Sequence, residues 1–247
     1  MCLFVTNIKT AEEDLTFYKA VIIQDGNIVS PYQEFKIEVG KEYTITDGIS
    51  PSLCKYHKKN GYPLREGVFH LYVNKPQNTP LLLKAIVKKG EQYFEGTFND
   101  ELSVGVTKVQ YEYINDEDKL LFQKLLTLSK KKLTIRRRND LIIAVTKQID
   151  PHRPYLVFNV VNTEGELMYE QWFDYIDCFL NGFAKVGLNG KSNFIDTKGK
   201  LLSEQWFDYA GNFSYDTEHA RVWLKDKGWN YINTKGELVS EFLKIMT

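Results

Sequence analysis

Between Phe158 and Ile232 the chain repeats itself, and few folds accommodate that. Asn159-Val-Val-Asn-Thr-Glu-Gly165 returns as Asn193-Phe-Ile-Asp-Thr-Lys-Gly199 and again as Asn230-Tyr-Ile-Asn-Thr-Lys-Gly236. Gln171-Trp-Phe-Asp-Tyr175 returns unchanged as Gln205-Trp-Phe-Asp-Tyr209, and Ala184-Lys-Val186 returns as Ala220-Arg-Val222. The spacings are 34 and then 37 residues, the excess falling around Tyr215–Glu218 and Lys225–Gly228. Periods of this size belong to stacked or radial arrays of small units, each of which needs a neighbour to cover its apolar face.

Each unit reads as a hairpin with an aromatic filler. Val160-Val161, Phe194-Ile195 and Tyr231-Ile232 are apolar strand ends that meet a polar turn closing on Gly165, Gly199 or Gly236. Glycine at that place supplies the positive φ that a tight turn demands. A return strand follows at Glu166–Met168, Lys200–Leu202 or Glu237–Val239, then the Trp-Phe-Asp element, then a third strand at Phe183–Val186 or Ala220–Leu224. At repeat spacing Trp172 and Trp206 are expected in the core; the tryptophans serve as carbohydrate or base platforms only where exposed. Ala144-Val145 reads as the tail of a degenerate earlier copy.

These residues resemble the WG-repeat family, whose pattern is an aromatic-Ile-Asp turn closing on Gly-Lys, Phe-Asp followed by a Phe, Ala-x-Val, and a Gly-Lys leading to Trp-Gly. Asn193–Leu202, Phe207-Asp208, Phe213, Ala220-Arg-Val222 and Gly228-Trp229 follow it in order. The Gly of Trp-Gly is Asn at 159, 193 and 230, and the Trp survives only as Trp229. Asparagine tolerates the left-handed region better than most residues, so the backbone shape is expected to persist there. The resemblance implies a repeat scaffold and no reaction. The first hundred-odd residues resemble, more loosely, proteins of gut bacteria and their phages that carry no assigned function. The likeness rests on Met1-Cys2-Leu3, Ala11–Asp14, Tyr18-Lys19-Ala20, Ser30-Pro31-Tyr32 and Gly67–His70.

At 247 residues the chain is long enough for two domains, each with its own core. The remainder predicts a mainly β protein: an antiparallel β-rich domain over 1–115, a helix and basic linker over 116–137, and the β-hairpin repeats over 138–247. In the first part an acidic helical turn at Ala11–Asp14 precedes a strand at Phe17–Ile23, and Asp25-Gly26-Asn27 leads into Ile28–Val29 as a hairpin. Glu34–Val39 and Tyr43–Ile45 flank Gly40-Lys41 as a second hairpin. A long loop spans Thr46–Glu66, then strands follow at Val68–Val73, Leu81–Val87 and Val104–Ile114. The continuous apolar character of Leu81–Val87 predicts burial on both faces. Asn115 reads as the N-cap of the single helix, with a stripe of Leu121, Leu125 and Leu128 flanked by Phe122 and Leu126.

Lys+Arg and Asp+Glu both total 32, so no global field draws the protein to nucleic acid or an anionic membrane. Lys130–Lys132 and Arg136–Arg138 form a local basic run that could meet phosphate, although three of its cations have an ordinary place at a helix end. Three widely spaced cysteines, Cys2, Cys54 and Cys178, predict a reduced, cytoplasmic protein. The start Met-Cys-Leu-Phe-Val-Thr-Asn lacks the pattern of a signal peptide, and no apolar run suits a membrane helix.

Candidate chemistry is sparse, and no catalytic set is assigned. His70 and Tyr72 form a His-x-Tyr strand with Arg65 in the loop before it and Glu95 as a third member. The pair is similar to that of ADP-ribosyltransferase-like folds, which implies a nucleotide-binding site; the plainer expectation is a hydrogen-bonded structural histidine. Cys2 echoes the N-terminal nucleophile of glutamine amidotransferases, but Leu3-Phe4-Val5 offers no glycine-rich turn. His57, His70, His152 and His219 have no ligand spacing, and Cys54 and His57 alone make a weak pair, so neither metal nor cofactor is expected. The expected function is a non-enzymatic module presenting its repeats to a protein partner. Phe242, Leu243, Ile245 and Met246 are expected to fold back as a cap or to form a homodimer through the C-terminal end.

Overall fold

A computed structural model describes residues 4–31, 35–44, 69–76, 81–98, 101–138, 141–148, 155–213 and 218–239. The expected loop Thr46–Glu66 with Arg65, Cys54 and His57, together with Cys2, His152 and the segment Glu241–Thr247, lies outside them. Among the described residues the protein is mainly β with one helix, and it divides into two compact units, Met1–Arg137 and Arg138–Thr247. Among the described residues no helix is long and apolar enough to cross a membrane.

The first unit contains β1 (Phe4–Thr10), β2 (Leu15–Gln24), β3 (Asn27–Val29), β4 (Lys36–Ile37), β5 (Glu42–Thr44), β6 (Phe69–Tyr72) and β7 (Leu81–Val87). Then come β8 (Gln92–Phe98), β9 (Glu101–Val106), β10 (Lys108–Glu112), α1 (Asp116–Ser129) and β11 (Thr134–Arg138). The long strand β2 organises it, running antiparallel to β7 from Leu15↔Val87 to Val21↔Leu81 and returning into β3 through the expected Asp25–Gly26 turn. Leu81, Leu82 and Leu83 are all buried, as their unbroken apolar run predicts.

Three expectations for this unit are corrected. Ala11–Asp14 is no helical turn: strand β1 runs against β8 up to Thr10, and only bends follow at Glu12–Glu13. The second hairpin does not close on itself: the chain turns at Glu38–Lys41, but β4 pairs with β3 and β5 with β10. A strand of two or three residues gains more bonds by extending an existing sheet than by pairing with a short neighbour. Val104–Ile114 is two strands broken at Thr107, with Val109 and Tyr111 buried in alternation.

The helix starts where Asn115 accepts from the Asp118 amide at 2.7 Å. It buries Phe122, Leu125, Leu128 and Ser129, so the stripe is turned slightly from the one centred on Leu121, which is half-exposed. Ser129 lies on that face because its Oγ accepts from the Gly26 amide at 2.9 Å, tying the helix to the β2–β3 turn.

The second unit contains β12 (Leu141–Gln148), β13 (Tyr155–Val161), β14 (Tyr175–Leu180), β15 (Phe183–Leu188), β16 (Lys191–Asp196), β17 (Tyr209–Phe213), β18 (His219–Leu224) and β19 (Gly228–Asn233). Strands β14–β15–β16 and β17–β18–β19 are two three-stranded antiparallel sheets, while β12 and β13 form a hairpin of the same pattern. In register Asn159, Asn193 and Asn230 stand opposite Ala144, Val186 and Val222, which places the degenerate copy on β12. The expected return strands shrink to single bridges at Leu167, Leu201 and Leu238, and the first strand of each meander, β14 or β17, is an addition to the expected unit.

The letter-for-letter repeat is a splice between successive hairpins. Phe173 exchanges both backbone bonds with Phe158, and Phe207 does the same with Ser192, at 2.8 to 2.9 Å. The next amide crosses to the following meander, Asp174 to the Gly187 carbonyl at 2.8 Å and Asp208 to that of Trp223 at 3.0 Å. This orientation drives the phenylalanines inward: Phe173 and Phe207 are 2% and 0% exposed, whereas Trp172 and Trp206 are half-buried. The expectation of a tryptophan core is therefore corrected to a phenylalanine core with Trp206 packed at its margin.

Strand β16 is buried on both faces. Ile195 joins a cluster with Val160, Phe173 and Val186, while the adjacent Phe194 joins a second with Phe207, Phe213 and Val222. Alternation along one strand thus serves two cores and stacks the hairpins.

The polar letters of the repeat have equally specific places. Asn162, Asp196 and Asn233 each accept two amides within their own turns, from residues two and four further on, at 2.8 to 3.0 Å. Gly165, Gly199 and Gly236 end these turns at φ of 78°, 82° and 83°, as expected. Asn159, Asn193 and Asn230 depart from expectation: none is left-handed. They lie in strands, where Oδ1 accepts the amide of the next residue at 2.7 to 2.8 Å. Asn159 and Asn193 are fully buried and donate from Nδ2 at 2.8 Å to the carbonyls of Tyr169 and Ser203, ten residues on.

Candidate functional site

The last meander presents a face unlike that of the one before it. Cross-strand register lines up Tyr209 on β17, Trp223 on β18 and Trp229 on β19 as one row of three aromatic side chains. The equivalent row of the preceding meander is Tyr175, Gly187 and Ser192. There the Tyr175 ring lies over Gly187, where a Cβ would collide with it, and its hydroxyl is 3.0 Å from Ser192 Oγ. In the last meander two tryptophans stand where that glycine and serine are. Tyr209 is 52% exposed and Trp229 38%.

The rings hold one another. Tyr209 meets Trp229 edge-on at 5.6 Å between centroids, and Trp223 lies 6.4 Å from Trp229. Arg221, two residues before Trp223 and so on the same face of β18, stacks its guanidinium 3.9 Å from the Trp229 ring centroid. The opposite face of the same strand carries Ala220, Val222 and Leu224, all buried. A rigid sheet with a packed back therefore displays Tyr, Trp and Arg on its front, the residue types that dominate binding hot spots. Beside the row, Asp208 is held below the usual carboxylate range by the Lys225 amide at 2.8 Å and the Lys191 ammonium at 3.0 Å.

The residues singled out in the first unit fall differently. Arg65 lies outside the described residues. The His70 backbone stands opposite Gly105, and Tyr72, half-buried, stands opposite Ser103. Ser103 in turn faces Gly96, so Glu95 belongs to the neighbouring row with Leu71 and Val104. Successive rows emerge on opposite faces, so the sheet separates Tyr72 from Glu95. Glu95 is ion-paired with Lys9 at 2.9 Å.

The basic run is also dispersed. The Lys130 stem lies against Gly26, and strand alternation sends Arg136 and Arg137 of β11 to opposite faces. A cation that sequence reasoning passed over is Lys19 of β2, opposite Leu83 and 4% exposed, whose ammonium burial pushes down to about 8.

Aromatic periodicity alone could not mark the Tyr209 row, because it predicts core for every copy. The available signal was the pair of departures within it, Trp223 where the earlier copy has Gly187 and Trp229 where it has Ser192. A protein-family model described as WG containing repeat matches residues 160–191, which run from β13 through β15 to the first residue of β16. No curated protein and no solved structure matches the chain.

Proposed function

We propose that the protein is a non-enzymatic binding module whose repeat unit presents the outer face of β17–β18–β19 to a protein partner. The observation that carries this reading is the row Tyr209, Trp223 and Trp229, exposed at Tyr209 and Trp229, with Arg221 stacked on it and built on strands whose other face is buried. Aromatic and arginine side chains held rigid before binding lose little entropy on association and concentrate affinity in a few contacts. The match of a WG containing repeat to residues 160–191 supports a repeat scaffold of this kind. The three widely spaced cysteines, an odd number, support a reducing, cytoplasmic setting.

The test is crosslinking and capture from cells with the full chain and with a Tyr209→Ser, Trp229→Ser double variant, whose changes lie on the surface. Partners captured by the parent and lost from the folded variant support the reading. Partners retained equally by both contradict it. A second copy of this chain is the competing occupant, and light scattering that shows a dimer dissociated by the same double variant would assign the face to self-association.

A further inference from the structure

We infer that the partner brings a carboxylate to this face, received by Arg221 while a neighbouring apolar side chain lies on Tyr209 and Trp223. The inference rests on the reading of the face as a protein-binding surface and specifies what binds there.

It comes from comparing the same position in two successive meanders. Lys185 in Ala184-Lys-Val186 and Arg221 in Ala220-Arg-Val222 occupy equivalent places, opposite Phe194 and Tyr231. Each cation lies by an aromatic ring of its own sheet, Lys185 5.9 Å from the Tyr175 centroid and Arg221 3.9 Å from that of Trp229. In the first meander the cation is neutralised internally: Lys185 pairs with Asp177 at 3.3 Å. Asp177 is the third residue of Tyr175-Ile-Asp, and the corresponding residue of Tyr209-Ala-Gly is Gly211. The last meander therefore keeps the cation and the ring but has no side chain where the carboxylate should be.

Arg221 is consequently an exposed guanidinium with no ion pair and no side-chain hydrogen bond among the described residues. Stacking occupies its flat face and leaves the fork of N–H donors at the edge, the geometry that accepts a carboxylate through two parallel bonds. Lysine in the earlier copy is a point charge matched to a fixed internal partner. Arginine in this copy suits a planar acceptor arriving from outside. Because stacking on Trp229 has already ordered the side chain, association costs less than it would for a free surface arginine.

The experiment pans a random-peptide display library on the full chain, on Arg221→Gln and on Gly211→Asp. Gly211 has no positive φ, and a Cβ there meets only the Arg221 backbone oxygen at 3.6 Å and its Cβ at 3.9 Å, so aspartate fits and restores the internal partner. Peptides enriched by the parent should carry Asp or Glu within two residues of an aromatic or aliphatic side chain. Each should bind at least about tenfold more tightly than its Asn or Gln counterpart. Arg221→Gln should erase that preference, and Gly211→Asp should weaken acidic peptides severalfold by competing for the same guanidinium.

Uncharged or basic peptides that depend on Trp229 but not on Arg221 would overturn the carboxylate and leave the protein-binding face standing. Acidic peptides unaffected by either variant would overturn it too. No peptide enrichment dependent on Tyr209 or Trp229 would overturn both readings. Arg221-dependent binding of a single-stranded oligothymidine, stronger than that of any peptide, would assign the face to phosphate instead.

Discussion

Gly236 ends the turn of the last copy directly against the carbonyl group of Leu202 in the copy before, where a Cβ would collide with the Leu202 oxygen. Gly199 makes the equivalent approach one copy earlier, but to side chains: a Cβ there would stand 2.8 Å from Val160 Cγ1 and 3.1 Å from Met168 Sδ. At Gly190, with a φ of 73°, a Cβ would meet nothing within 4 Å among the described residues. One residue type thus faces three different neighbourhoods at nearly the same backbone angle.

Alanine at Gly190 should cost about 1 kcal/mol, the left-handed penalty alone. Alanine at Gly199 should cost somewhat more, because Val160 and Met168 can yield. Alanine at Gly236 should cost about 3 kcal/mol or more, since backbone cannot move aside without parting the copies. Urea denaturation of the three variants checks the order, and equal losses would mean that the turns do not press on their neighbours.

The buried asparagines give a second graded series. Asn193 is fully buried, with its amide donating to the Ser203 carbonyl and accepting from the Phe194 amide, whereas Asn230 is half-buried and accepts from Tyr231. Asn193→Ala should lose about 2–3 kcal/mol, because it strands buried backbone groups, and Asn230→Ala about 1 kcal/mol. Asn193→Asp should do no better than alanine, since it sets an acceptor against the Ser203 carbonyl and buries a charge. Thermal melts of the three variants measure this.

The asparagines also show where sequence reading stopped. Their recurrence at 159, 193 and 230 was plain, and the glycine they replace in the WG pattern pointed to a left-handed backbone. That inference failed because asparagine brings its own hydrogen bonds, to a segment ten residues away whose course no local pattern reveals. The turn glycines were legible because positive φ is a local demand. The strand character of β2, β7 and β10 was legible for the same reason, in β7 from an unbroken apolar run. Partnership was not: β4 and β5 look like a hairpin, yet each pairs with a strand chosen by tertiary geometry. Likewise Trp206 is larger than Phe207, but backbone pairing with Ser192 decides which side chain points inward. Phe207→Ala should therefore cost about 3–5 kcal/mol and Trp206→Ala clearly less, as chemical denaturation would show.

Tyr111 carries the reverse signature, a polar atom that stabilises nothing. Its ring is fully buried among Phe69 and Tyr43, and its hydroxyl has no hydrogen-bond partner among the described residues. Burial pushes the phenol far above its usual range. Tyr111→Phe keeps the ring and removes the unsatisfied group, and it should leave stability unchanged or raise it by about 1 kcal/mol. A loss of more than that in differential scanning calorimetry would reveal a partner for the hydroxyl.

Lys19 provides a test by pH. Its ammonium sits in β2 opposite Leu83, 4% exposed, and burial lowers its pKa from 10.5 to about 8. Below pH 8 the folded protein holds a buried charge that the unfolded chain would hold in water, a cost on the order of 3 kcal/mol for a shift of this size. Between pH 8 and 10.5 the unfolded chain keeps the proton that the folded one has released, so stability attributable to this residue rises with pH across that window and levels off above it. Tyrosines and cysteines titrate in the same range, so the quantity to measure is the difference from Lys19→Met, which fills the same space without the charge. The methionine variant should be more stable than the parent by about 2–3 kcal/mol at pH 7. That advantage should shrink steadily to pH 10.5 in parallel urea titrations. An advantage constant with pH would place the benefit in packing rather than in the charge.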